Sequence, residues 1–531
     1  MYWNDRDTTG HRQEVDIPDF VSRQERFESN DYYQRQQIPE EECQTPPRVS
    51  KKQRNKTYGK VAYLFSAMFL ALIGYMVYFQ VEMRDTLNRN PYNTKKDAKQ
   101  EYVVRGSIFS ADGEILAGTN IDENGVESRL YPKGNIFAHV VGYTSKGKSG
   151  LEAIYNNDLM TSNQSITDKV NSSNQNRKEQ GNTLILTLDS RLQEVACNAL
   201  GAYKGAVVVM EPDTGKILAM VSKPDFDPNN LDEQWEFLTQ DDAQSPLLNR
   251  AMQGLYPPGS TFKILTALEY IREHPTDYLT YGFNCEGVLS QDDVTIKCYD
   301  YSVHGYEDLE TAFLNSCNTA FASIGLQLDN DKFADLCEEF LFNNNLPTVM
   351  PYSSSQFVLN NSSSYGETMT TAIGQGDTLV SPFHMALITS TIANDGIMMY
   401  PYLVDRVENV DGVLVKESKP MNYKKLMTEE ESAVMKQFMN SVVQYGTGSK
   451  LSGLGYTVAG KTGSAEYEIN GNTGEEENFS THSWFVGFSN VEDPDIVVSV
   501  IAEDGGTGSS AAVPIARAIF DEYYAIQYGN Y

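Results

Sequence analysis

The sequence predicts an α+β fold, an antiparallel β-sheet flanked by helices with a helical insert, preceded by a single transmembrane helix and a small membrane-proximal module. Three observations predict it. Strand-like apolar runs stand near residue 205 and again between 456 and 502, with helical periodicity between them, so one sheet is built from both ends of the segment. A closing helix follows from Ala511 to about Tyr528. Far upstream, Val61 to Val81 is an apolar run of bilayer-spanning length.

In chain order, residues 1–60 are polar and show no apolar period, which predicts a disordered tail. The tail ends in a basic cluster, Lys51, Lys52, Arg54, Lys56 and Lys60. Residues 61–81 are apolar apart from Ser66 and Gln80, with Tyr63, Tyr75 and Tyr78 towards the ends, as in a transmembrane helix. Glu82-Met83-Arg84-Asp85 follows where a signal peptide would carry small residues. The basic flank predicts a cytoplasmic N-terminus and an extracytoplasmic remainder, the chain being a single-pass protein of the cell membrane.

Residues 82–175 hold short strand-like runs, Tyr102 to Phe109 and Glu114 to Ala117 around the turn Ala111-Asp112-Gly113, and form the membrane-proximal module. The polar run Asn171 to Gly181 reads as a linker. Residues 176–531 form the main domain. Leu184 to Leu188 leads into a helix from Ser190 to about Tyr203, and Ala206–Met210 with Ile217–Val221 reads as a hairpin. Helices are predicted around Ser260, around Leu309, from Ser381-Pro382 to Gly396, and from Thr428, with Glu431 completing a capping box, to Gly446. Strands return at Tyr456–Thr462, Ser483–Phe488 and Ile496–Ala502.

A net charge of −30 over 531 residues argues against a nucleic-acid partner, since a phosphate backbone demands a basic surface. No histidine pair has metal-ligand spacing, no C-x-x-C occurs, and Gly505 to Ser509 lacks the lysine of a phosphate loop. No catalytic metal and no cofactor are expected.

The chemistry centres on Tyr256-Pro257-Pro258-Gly259-Ser260-Thr261-Phe262-Lys263. The prolines break any preceding helix and Gly259 permits a tight turn, so Ser260 opens a helix that carries Ile264, Leu265, Leu268 and Ile271. Lys263 lies one turn on, and a neutral amine there removes the hydroxyl proton, making a nucleophile without histidine. Alone, such a pair is as well explained by a helix cap and a solvated charge. Ser316-Cys317-Asn318 alone is a capping motif, and Lys461-Thr462-Gly463 alone is a strand end. Their occurrence together, in the order S-x-x-K, S-x-N, K-T-G, outweighs those readings.

With these motifs the chain resembles the class B penicillin-binding proteins, peptidoglycan D,D-transpeptidases related to β-lactamases. The resemblance is strongest from Gly205 to Tyr528 and includes Gly374-Gln375-Gly376 and Trp484 to Phe488. It extends to Arg105-Gly106-Ser107-Ile108 and Gly150-Leu151-Glu152 in the module. It implies that Ser260 attacks a D-Ala-D-Ala stem peptide and is acylated by penicillins. Lys263 would be the base, its pKa depressed by Lys461, and Ser316 would relay a proton to the leaving nitrogen. Asn318 would hold the donor backbone, Lys461 and Thr462 the terminal carboxylate, and the N–H groups of Ser260 and Ser464, beyond Gly463, the oxyanion. A membrane glycosyltransferase is the kind of partner implied.

Cys317 fills the variable middle position, and Ser464 stands where threonine is usual. Thr261-Phe262 is also found in class D β-lactamases, which carry a hydrophobic residue where Asn318 stands. The alternatives are a D,D-carboxypeptidase or β-lactam-hydrolysing enzyme, and a non-catalytic β-lactam sensor or scaffold. Cys285 and Cys298 either form a disulfide or remain buried thiols.

Overall fold

The computed structural model describes residues 50–80, 102–165, 169, 177–292, 294–468 and 479–529. The expectations for residues 1–49 and 82–101 lie outside them. The first unit contains the helix Lys51–Tyr78, so the basic cluster expected to end a tail is helical. Its segment Tyr58–Tyr78 is long and apolar enough to cross a membrane, and its large apolar side chains are exposed.

In the second unit, the main sheet has the strand order Val458–Glu468, Phe479–Ser489, Val497–Ala502, Gly205–Met210, Ile217–Lys223. Every neighbouring pair is antiparallel, as the split between the two ends of the segment predicts. Gly205–Met210 and Val497–Ala502 are buried throughout, because both faces of the sheet are covered. On one face Val207, Val209, Val498 and Val500 pack with Leu192 and Ala196 of Ser190–Leu200 and Ile515 and Ile519 of Ala512–Tyr528. On the other, Val208, Met210, Val486 and Ile501 join Ile388 and the helical insert in the larger core. Pro382–Ala393 is buried on every side, which explains why it is apolar all round.

Val458–Glu468 is an edge strand, so its outer edge is free to meet something other than a strand. It runs beyond the predicted Thr462 to Glu468 because Phe479–Trp484 continues the ladder. The predicted capping box is present: Thr428 Oγ1 accepts from Glu431 N, and the Glu431 carboxylate accepts from Thr428 N.

The module has a six-stranded sheet in the order Leu414–Glu417, Val404–Glu408, Thr183–Leu186, Ile108–Phe109, Ile115–Ile121, Glu127–Leu130. Two of its strands therefore come from beyond residue 400, and a continuous sheet crosses the boundary expected at residue 175. Part of the expected linker is also ordered: Glu179–Gln180 pairs in parallel with Val103–Val104.

The two stretches of the module noticed in the sequence meet in space. Glu152, fully buried, accepts from Arg105 Nε at 2.6 Å and from Arg129 Nε at 2.7 Å. Arg105 also donates to the Glu152 carbonyl and to Asn156 Oδ1. Burial works against the Glu152 carboxylate, but the two guanidinium groups outweigh it and hold its pKa below the ordinary value.

Glu152→Gln leaves two buried cations without their anion and is expected to cost about 3–5 kcal/mol. Lys178→Gln, which removes the more exposed pair Lys178–Glu127, is expected to cost less than about 1 kcal/mol. Denaturant midpoints of the two variants check this, and equal losses contradict it.

Candidate active site

The site is assembled where the helical insert meets the free edge of Val458–Glu468. Gly259–Phe262 forms a 3₁₀ turn, and the α-helix begins only at Lys263 and runs to Glu273. Ser260 thus sits on the turn ahead of the helix, partly exposed, and Lys263 is the first fully helical residue. The turn is held from three sides. Gly259 N donates to Gly374 O at 2.8 Å, Trp484 Nε1 donates to Pro257 O at 3.1 Å, and the backbones of Tyr256 and Val380 bond in both directions.

Two glycines permit the close approach of turn and strand. Gly259 has φ +54, and a Cβ on it would lie 2.8 Å from Ser464 O. A Cβ on Gly463 would lie 3.0 Å from Thr261 Cγ2 and 3.1 Å from Pro258 O. The proximity of Ser464 O to Gly259 also fixes an orientation. In an antiparallel strand one residue's N–H and C=O point to the same edge, so the Ser464 N–H faces the Ser260 turn as well.

Glu466, two residues on, presents its backbone to that same edge and is closed off. The Gln375 amide, oriented to satisfy both groups, donates to Glu466 O and accepts from Glu466 N at 3.2 Å each.

The three motifs converge on Ser316. Lys263 Nζ donates to Ser316 O and to Asn318 Oδ1, at 2.7 Å each, and lies 3.3 Å from Ser316 Oγ. Lys461 Nζ donates to Ser316 Oγ at 2.9 Å and to Thr462 O at 3.2 Å. Ser316 adopts φ +55, unusual for a residue with a side chain, between Leu309–Leu314 and Asn318–Gly325. The Lys263 N–H donates to Ser260 O within the turn, but among the described residues no side-chain hydrogen bond joins Ser260 Oγ to Lys263 Nζ; the amine is held by the second motif.

Both lysines are 0% exposed. Burial lowers the Lys263 pKa to about 7, partly offset by the sulfurs of Cys317 and Cys298. Burial also pushes Lys461 well below its ordinary value, and the Lys263 charge adds to that. The sequence expectation assigned the depression of Lys263 to Lys461; burial is the larger cause, and the repulsion between the two amines lowers Lys461 as well.

The geometry bears on two further expected site residues. Asn318 Oδ1 is occupied by Lys263, and Asn318 Nδ2 donates to Lys297 O at 2.9 Å, which leaves one N–H to offer a substrate. Lys461 Nζ, fully buried, is engaged by Ser316 Oγ and Thr462 O. Thr462 Oγ1 shares a 2.5 Å hydrogen bond with Thr447 Oγ1, a residue the sequence reading missed. The only signal for it was a threonine between Gly446 and Gly448, at the end of Glu429–Tyr445.

Residues 205–521 match the penicillin binding protein transpeptidase domain, and residues 105–184 match the penicillin binding protein A dimerisation domain. Peptidoglycan D,D-transpeptidase PbpA of Mycolicibacterium smegmatis is 31% identical over 491 residues, covering 87% of this chain and 98% of that protein. The D,D-transpeptidase domain of a peptidoglycan glycosyltransferase from Eggerthella lenta superposes with a TM-score of 0.71 at 32% identity, over 80% of this chain and 99% of that one. Penicillin-binding protein A from M. tuberculosis, solved as a penicillin G acyl-enzyme complex, gives 0.71 at 27% identity, over 79% and 99%. With the three motifs gathered around one serine, and with a matching domain on each side of residue 200, this chain belongs to the class B penicillin-binding proteins.

Proposed function

We propose that this chain is a membrane-anchored peptidoglycan D,D-transpeptidase that works through an acyl-enzyme on Ser260. The names of its relatives support the activity, and the acyl-enzyme structures of the M. tuberculosis protein support the chemistry. The observation that carries the assignment of roles is the setting of Lys263. A neutral amine has two N–H bonds and one lone pair. Ser316 O and Asn318 Oδ1 take the two N–H groups, and the lone pair is left for a hydroxyl proton.

In this reading Ser260 Oγ attacks the penultimate carbonyl of a stem peptide ending in D-Ala-D-Ala while its proton passes to Lys263. The N–H groups of Ser260 and Ser464 receive the oxyanion, a contribution of about 3–4 kcal/mol per donor in comparable sites. When the C–N bond breaks, the proton returns through Ser316 Oγ to the departing D-alanine. Lys461 orients Ser316 through its hydrogen bond to the hydroxyl. Thr462, set by Thr447 and by the close packing of Gly463, addresses the substrate carboxylate. An amine from a second peptide then attacks the ester and frees Ser260, which completes the cross-link.

Penicillin replaces the donor, and its ring-opened acyl group stays on Ser260. Tyr58–Tyr78 supplies the anchor, with the basic end in the cytoplasm, and a membrane glycosyltransferase that supplies glycan strands suits this arrangement.

Acylation by a fluorescent penicillin, followed by stopped flow with the adduct mapped by mass, tests the roles. Ser260→Ala should take no label. Lys263→Arg should lose nearly all acylation, because a guanidinium stays protonated and cannot act as base. Asn318→Ala, which removes one of the two acceptors that hold Lys263, should slow acylation about 10- to 100-fold, the equivalent of one hydrogen bond to a charged group. Lys263→Arg acylating as fast as wild type would mean that another residue is the base.

The pH profile has a definite sign. The base acts in its neutral form, so the acylation rate should rise with pH through a midpoint near 7, where burial places Lys263. A rate that is flat from pH 5 to 9, or that climbs only near the ordinary lysine value of about 10.4, contradicts a buried neutral base.

A further inference from the structure

We propose that Cys285, Cys298, His304 and Cys317 form a structural zinc site directly behind the second catalytic motif. The ligand atoms, three Sγ and one imidazole nitrogen, all lie within 4.8 Å of one another. Cys285 ends the strand Phe283–Cys285, Cys298 follows Val294–Lys297, and His304 precedes Gly305–Glu307, which pairs antiparallel with the first of these. Cys317 is the N-cap of Asn318–Gly325 and stands between the two motif residues that hold Lys263.

The distances suit one metal. A tetrahedron with Zn–S bonds of about 2.3 Å has S–S edges of about 3.8 Å, whereas a disulfide brings the sulfurs to about 2.0 Å. Cys285 Sγ to Cys298 Sγ is 3.7 Å, Cys298 Sγ to Cys317 Sγ is 3.7 Å, and Cys285 Sγ to His304 Nδ1 is 3.3 Å. All three cysteines are free, and they are at most 3% exposed.

Thr319 Oγ1 lies 3.2 Å from Cys285 Sγ, 3.5 Å from Cys298 Sγ and 3.3 Å from Cys317 Sγ. It offers a hydroxyl to the sulfurs, the kind of outer partner that supports thiolate ligands. Three thiolates and one imidazole leave no open position, so the site suits Zn²⁺ in a structural role, and binding releases the thiol protons.

The consequence for the enzyme rests on the reading above. The metal ties the segment Cys285–His304 to Cys317 and so fixes the unusual backbone of Ser316, on which both lysines depend. It acts by positioning and touches no substrate.

The test uses the full chain purified in detergent with its thiols reduced and no chelator. Metal content by mass spectrometry should show about one zinc per chain. Cys285→Ser and Cys298→Ser should lose it, while Cys197→Ser and Cys337→Ser, buried cysteines outside the cluster, should keep it. Removing zinc from wild type with a strong chelator should lower the melting temperature, and added Zn²⁺ should restore it, a readout that does not depend on any variant folding. Cobalt replacing zinc should give the charge-transfer absorption of thiolate ligands and the visible bands of a tetrahedral ion. Less than about a tenth of an equivalent of metal in chain with all cluster thiols reduced, or a disulfide between two of these cysteines in the protein as isolated, overturns the proposal. Penicillin acylation measured alongside should fall about 10- to 100-fold on zinc removal. A zinc-loaded wild type that takes no label at Ser260 would count against the catalytic reading and leave the metal count to decide the metal.

Discussion

The site depends on burying two lysine amines with no carboxylate of the described residues paired to either. Lys263 and Lys461 are both fully enclosed, and each is held by neutral oxygens: a carbonyl, a side-chain amide oxygen, and one shared serine hydroxyl. An ion pair would have kept either amine charged; neutral acceptors do not, and burial then favours loss of the proton. Two charges around one hydroxyl would also repel each other in a medium of low dielectric. Burial and mutual repulsion thus act in the same direction on the pair, and both amines are shifted towards the neutral form.

Most of the surrounding structure serves to keep this pair in place. The edge strand carries Lys461 and turns the Ser464 backbone towards the Ser260 turn, and Gly259 and Gly463 let the two backbones close on each other. Gln375 occupies the neighbouring backbone groups of Glu466, so the polar edge left open is the part facing Ser260. On the far side, Ser316 is forced into a left-handed conformation and presents both its carbonyl and its hydroxyl to the amines. Such strain persists only where the surroundings over-determine it, and the cysteine and histidine cluster beneath Cys317 lies at that point.

Legibility in the sequence followed the range of the interactions. Local signals were sufficient for the hairpin of Gly205–Met210 with Ile217–Lys223, for the Thr428 and Glu431 cap, and for the nucleophile turn. That one antiparallel sheet takes strands from both ends was legible because apolar strands stood at both ends of one segment, whereas their order was not. What escaped depended on distant partners. Val404–Glu408 is short and half-buried, with Asp405 and Arg406 adjacent so that no alternation shows, and its identity as a strand comes from Thr183–Leu186 far upstream.

The far half of Val458–Glu468 lacks an apolar pattern and is a strand because its neighbour continues the ladder. Thr447 is a loop threonine until Thr462 is beside it. Motif order was enough to group the two lysines with Ser316, but their complete burial was not legible, since burial of a side chain is invisible in spacing. The cysteines and His304 were read singly for the same reason: their ligand atoms meet only when four separate segments fold together.

The most direct measurement is of the Lys263 amine itself. Full-length chain labelled with ¹³C at the lysine Cε position, in detergent, is titrated by NMR from pH 5 to 11, and the resonance is assigned by its loss in Lys263→Arg. The account predicts a lysine that titrates near 7, in line with complete burial among neutral acceptors. A Lys263 resonance that stays protonated until the ordinary range of about 10.4 would contradict it.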